Sequence, residues 1–161
     1  MKKTLIGFVF GMLAIVMTLS TAQAQNPKSD LGGGRLDGSW DVRVTLYNCA
    51  TGSPIRSFDS VTQYMKGGTL IDSTSAMPQS AKTPGQGIWR HDGGDIYSFK
   101  FKHFNFDAAG NYTGFQIVTH QAYLDQSGSS YFSNGTAAFY NPAGTLVMAG
   151  CSSTTATRIV F

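Results

Sequence analysis

Apolar and polar residues alternate along most of this chain, and the alternation begins sharply at Trp40. Trp40, Val42, Val44 and Leu46 fall on one face of an extended segment, while Asp41, Arg43, Thr45 and Tyr47 fall on the other. A period of two is the signature of a half-buried strand. It predicts a first strand over Ser39 to Asn48, ended by the turn residues Ala50-Thr51-Gly52-Ser53-Pro54. Further strands are predicted over 57–65, 69–75, 88–91, 95–106, 112–124, 130–140 and 145–161, separated by Gly, Asn, Asp and Pro. Met77 to Gly87, which carries Pro78 and Pro84, is the longest irregular stretch. In the fifth strand Tyr97, Phe99 and Phe101 oppose Ser98, Lys100 and Lys102, but Phe104 and Phe106 then join the lysine face. A bulge near His103 would restore a continuous apolar face.

Eight successive strands with short links, and no helical stretch after residue 24, predict an all-β fold. The economical arrangement is an eight-stranded antiparallel up-and-down β-barrel, because closure removes exposed strand edges. A two-sheet sandwich is the alternative, but only Met77 to Gly87 is long enough for the crossing connections it needs. Two residue pairs near the chain ends point to closure. In an antiparallel pair the numbers of opposed residues add to a constant. Trp40 with Arg158, and Cys49 with Cys151, fit one such ladder within a single pairing step. That places the first strand beside the last, with the Trp40–Arg158 pair on one face of the seam and the cysteines on the other.

Composition agrees with this reading. All nine acidic residues are Asp, Glu is absent and Gly is abundant at 19 residues; Asp favours turns where Glu favours helices. Lys2 and Lys3 precede an apolar run from Leu5 to Leu19, and Ala22-Gln23-Ala24 forms a cleavage site. Residues 1–24 therefore read as a signal peptide, 25–37 as a flexible leader and 38–161 as the barrel domain. The apolar run is shorter than the roughly 20 residues that a membrane span requires, so no span is expected after cleavage. The expected location is exported, periplasmic or secreted. Two cysteines in an exported chain predict a disulfide between Cys49 and Cys151, with two free buried thiols as the alternative. Without Lys2 and Lys3, ten basic residues face nine acidic ones, and nucleic-acid binding has no support.

Gly38-Ser39-Trp40 at the head of the first strand and Arg158 on the last resemble the calycin superfamily, the lipocalins and fatty-acid-binding proteins among it. The chain also resembles small exported bacterial barrels that pair an early Asn48-Cys49 with a late Gly150-Cys151. The calycin resemblance implies a lipocalin-like barrel in which the tryptophan plugs one end and the arginine covers it. A guanidinium stacks on the ring face and reaches backbone carbonyls at once.

The aromatic face of Tyr97, Phe99 and Phe101, joined by Trp89, Phe115 and Tyr123, is the candidate ligand-binding surface; plain core filling is the alternative. Gln116, Thr119, Gln121 and Asn134 are polar residues that could orient a ligand. His91, His103 and His120 lie on three segments without metal-ligand spacing, so neither a metal nor a cofactor is predicted. No catalytic motif is present, although Asp72, His103, His120 and Tyr97 could supply an acid and a base. The leading expectation is a barrel that binds a small apolar or aromatic molecule. A cyclase or isomerase, similar to the allene oxide cyclase and dirigent barrels, is the second. A periplasmic inhibitor using Asn26 to Leu36 or Met77 to Gly87 as its inserting segment is the third. Oligomeric state has no signal in the chain.

Overall fold

The structure is a computed structural model, and it describes residues 34–161. Residues 1–33, with the predicted signal peptide and most of the leader, lie outside the described residues. Eight strands follow in order: β1 (Gly38–Tyr47), β2 (Pro54–Met65), β3 (Thr69–Thr74), β4 (Gly85–Gly93), β5 (Ile96–Phe106), β6 (Tyr112–Leu124), β7 (Ser130–Tyr140) and β8 (Leu146–Arg158). Each pairs antiparallel with the next, and β1 pairs with β8, so the sheet is a closed barrel. A single 3-10 turn, Gln79–Ala81, interrupts the long β3–β4 connection. No helix among the described residues is long and apolar enough to cross a membrane.

The β1–β8 seam has the register the residue numbers imply. Trp40 opposes Arg158, and the ladder runs without a slip to Tyr47 opposite Cys151. Cys49 lies just beyond that ladder and is bonded to Cys151, with their Cα atoms 5.2 Å apart. The disulfide spans 102 residues of sequence; in the loop-entropy picture a closure of that length stabilises by at most about 4–5 kcal/mol. Such a bond belongs to an oxidising, extracytoplasmic environment.

One end of the barrel is closed from inside. Trp40 is fully buried, and its indole N–H donates to the Leu36 carbonyl at 2.9 Å. The Arg158 guanidinium lies 4.3 Å from the Trp40 ring centre. It donates to the carbonyls of Gly128 at 2.8 Å and Asp37 at 2.6 Å, and also to that of Arg35. Gly38 leaves room for it: a Cβ there would come within 2.6 Å of Arg158 Nη1, and the backbone has φ of +128°. The last residues of the Gly-rich stretch are part of this plug, for Leu36 is fully buried and the Arg35 amide donates to the Tyr97 hydroxyl at 3.0 Å.

Two strands begin earlier than local sequence predicts. β2 starts at Pro54 and β4 at Gly85, because pairing with Tyr47 and Asp72 extends both ladders into residues of low strand preference. The bulge expected near His103 is absent. The β5–β6 register is continuous through His103–Gln116 and Phe104–Phe115 and shifts only at Asn105/Phe106. The period of two is therefore kept: His103 turns inward and is buried, while Phe104 is 43% exposed on the outside. Lys102 covers it there, its ammonium 4.9 Å from the Phe104 ring centre.

The seam makes a direct prediction. Arg158→Lys keeps a positive charge over Trp40 but cannot reach three carbonyls in different directions. Losing charged hydrogen bonds of this kind costs about 2–3 kcal/mol, which urea unfolding followed by tryptophan fluorescence will report as a lower midpoint. An unchanged midpoint would show that the arginine does not hold the seam.

Candidate functional site

The inward-facing residues divide the barrel into two halves. In the closed half, aromatic side chains meet edge to face. Trp40 and Tyr131 have ring centres 4.9 Å apart, Tyr64 and Phe99 5.6 Å, and Tyr64 and Trp89 5.8 Å. Their polar atoms are engaged: the Trp89 indole donates to the Met65 carbonyl at 2.9 Å, and the Tyr64 and Tyr131 hydroxyls share a hydrogen bond of 3.2 Å. Burial pushes both phenols well above their ordinary range, so this floor is neutral.

Above the floor the packing stops and a cavity of about 210 Å³ opens towards the other end. Val42, Val44, Phe99, Phe101, Val118 and Ala137 form its apolar wall; Leu46, Arg56, Met77 and Phe139 stand at the mouth. The volume exceeds the roughly 150 Å³ of an apolar cavity that accepts benzene and falls below the usual range for drug-sized ligands. It suits a molecule of one or two rings.

Polar groups enter this cavity from four sides. Asp72 on β3 is buried, and its Oδ2 accepts hydrogen bonds from Ser60 at 2.6 Å and Thr62 at 3.0 Å. Burial raises its pKa, against the opposing pull of those two hydroxyls and of Lys82. Lys82 arrives from the β3–β4 connection and is only 2% exposed. Its ammonium donates to the Thr83 carbonyl at 3.1 Å, and burial lowers its pKa. His103 lies 3.0 Å from the Gln116 side-chain oxygen through Nε2, while its buried Nδ1 has no partner among the described residues. Burial, then the nearby Lys82 charge, holds its pKa down at about 4.

His120 is better satisfied. Nδ1 meets the Ser133 hydroxyl at 2.8 Å and Nε2 meets the Ser152 hydroxyl at 2.7 Å; Ser133 in turn meets Thr154 at 2.5 Å. The ring stacks on Phe99 with centres 5.2 Å apart. Gly135 makes room for it, since a Cβ there would lie 2.4 Å from the imidazole. Burial lowers the His120 pKa to about 4.

The predicted ligand-face residues separate into three groups. Phe99 and Phe101 line the cavity. Trp89 and Tyr97 are inside but lie in the filled closed half, so the core-filling alternative describes them. Phe115 and Tyr123 are on the outer surface, a correction to their expected place. Phe115 opposes the outward Phe104, stacks on Tyr140 at 4.8 Å and carries the Lys102 ammonium 3.8 Å from its centre. Tyr123 is 43% exposed and donates to Gln121 at 2.5 Å. Among the polar candidates Gln116 lines the cavity, whereas Thr119, Gln121 and Asn134 are exposed outside. Sequence reasoning missed Lys82, whose only signal was a charged residue within a Pro-rich connection. Cys49, Cys151, Trp40 and Arg158 serve the seam and lie away from the cavity lining. Among the described residues no three His, Cys, Asp or Glu side chains converge as metal ligands would.

No family model, curated protein or solved structure matches this chain. The closed up-and-down architecture with β1 paired to β8 is consistent with a calycin-like barrel.

The buried histidines make stability depend on pH with a definite sign. His120 binds a proton near pH 6.5 when unfolded and only near pH 4 when folded. Between those values the unfolded state holds more protons, so stability is full above about pH 7 and falls as the pH drops towards 4. The His120 share of that loss approaches about 3 kcal/mol. Urea midpoints measured from pH 7.5 to 4 should fall steeply in the wild type and less steeply in His120→Gln, which removes the titrating group. Parallel curves would contradict the assignment.

Proposed function

We propose that this protein is an exported barrel that binds a small apolar or aromatic molecule in the open half of its interior. One observation carries the reading. The aromatic residues fill only the closed half, and the space left above them is an open-ended cavity with an apolar wall and a few convergent polar groups. That combination is what small-molecule sites present. The disulfide supports export, since it lasts in an oxidising compartment. The long β3–β4 connection supports the binding reading over an inserting inhibitor loop. Its 3-10 turn folds back, Thr83 N–H bonds the Phe104 carbonyl at 3.0 Å, and Met77 and Lys82 become cavity lining.

An acid/base enzyme of the barrel-cyclase kind is the second reading. What favours it is that Asp72, His103 and His120 each lie within hydrogen-bond reach of another polar group inside the cavity wall. Geometry of that sort is the first requirement for general acid/base work.

The binding reading is tested with 1-naphthol as the probe in isothermal titration calorimetry. The wild type should bind one equivalent. Ala137→Phe places a ring in the cavity and should weaken binding at least about ten-fold, equivalent to 1.4 kcal/mol, while the melting temperature holds. Absence of binding to the wild type, or equal binding to the variant, would count against the site.

A further inference from the structure

Lysine is almost never fully buried unless it is paired. Lys82 is 2% exposed, and it makes no ion pair among the described residues. Its position is built rather than accidental. Ala81 N–H bonds the Pro78 carbonyl at 2.9 Å, Lys82 forms an isolated bridge with Asn105, and the Phe104 amide donates to the Thr83 hydroxyl at 3.1 Å. The last two contacts tie Lys82 and Thr83 to β5, and the Lys82 side chain lines the cavity.

The surroundings suit a neutral amine. Phe99 and Phe101 supply apolar wall, and burial disfavours the ammonium form of Lys82, opposed in part by the Asp72 carboxylate that lines the same space. His103 presents a buried, unpartnered Nδ1 close enough for the Lys82 charge to act on it. A desolvated lysine beside proton-carrying groups is equipped for nucleophilic attack on a carbonyl.

We propose that Lys82 captures small aromatic aldehydes in the cavity as a reversible imine. The inference rests on the cavity being the ligand site. The nitrogen lone pair of the neutral amine forms a bond to the aldehyde carbon, and the carbonyl π pair moves onto oxygen. One N–H proton passes to that oxygen and gives a carbinolamine. The hydroxyl then leaves with the second N–H proton as water, and C=N remains. Amine and aldehyde become imine and water, with no oxidant or reductant. The unpartnered His103 nitrogen lines the same cavity and is an acceptor for the carbinolamine hydroxyl.

The test uses benzaldehyde with sodium cyanoborohydride at pH 7, followed by peptide mapping by mass spectrometry. Reduction traps the imine as a stable benzyl-lysine. Lys82 should be labelled at least about ten-fold faster than the exposed Lys66, Lys100 and Lys102, because the cavity holds the aldehyde beside its amine and so raises the effective concentration there. Saturating 1-naphthol should protect Lys82 and leave the exposed lysines unaffected, and Ala137→Phe should do the same. Labelling of Lys82 no faster than of the exposed lysines, in a protein that still binds 1-naphthol, overturns the imine proposal and leaves the binding site standing. If 1-naphthol neither binds nor protects, the cavity reading itself fails and the proposal falls with it.

Discussion

The rest of the structure depends on the contact between Arg158 and Trp40 across the first and last strands. An eight-stranded sheet left open would present two unpaired edges. Here the guanidinium stacks on the indole and ties together three separate carbonyls, from Arg35, Asp37 and Gly128. The segment before β1, the start of β1, the β6–β7 turn and the end of β8 are thereby fixed to one another. The disulfide fastens the same seam near its other end, so β1 and β8 are held at both extremities. A cavity can exist between them only because the wall is continuous.

Closure at one end also decides what the other end can be. Large rings occupy the closed half, and the residues that follow along the same strands are smaller or more polar: Val44 after Trp40, Ser60 beside Tyr64, Ala137 after Tyr131. The interior therefore runs from filled to hollow. Burying Asp72, Lys82, His103 and His120 in the hollow half carries a desolvation cost that an apolar core would avoid. Hydroxyls from Ser60, Thr62, Ser133 and Ser152 offset part of it. Lys82 and His103 are left with hydrogen-bonding capacity facing the cavity, and the proposed ligand site rests on that.

Much of the fold was legible because strand alternation, turn residues and residue-number parity are local or arithmetic signals. They gave the strand count, the seam and the outward-facing disulfide. The site was less legible, for two physical reasons. β6 has apolar residues on both faces, Phe115 and Ile117 on one and Val118 and Ala122 on the other, so aromatic character alone did not reveal which way Phe115 and Tyr123 turn. In β5 the run Phe101, His103 against Phe104, Phe106 invited a bulge at His103, yet the ladder with β6, continuous as far as Asn105, keeps the phase there and turns a histidine inward in place of a phenylalanine. Lys82 was hidden for a different reason: its direction is set by a tertiary bridge to Asn105, which no pattern within Met77 to Gly87 records.

The interior is closed and filled at the Trp40 end and hollow at the Lys82 end. Amide and indole chemical shifts report this directly. In ¹⁵N-labelled protein titrated with 1-naphthol, perturbations should gather at Val44, Phe101, His103, Val118 and Ala137, while the Trp40 and Trp89 indole N–H signals stay in place. Perturbations centred on the two indoles, or spread over the outer row of Phe104, Phe115 and Tyr140, would contradict the account.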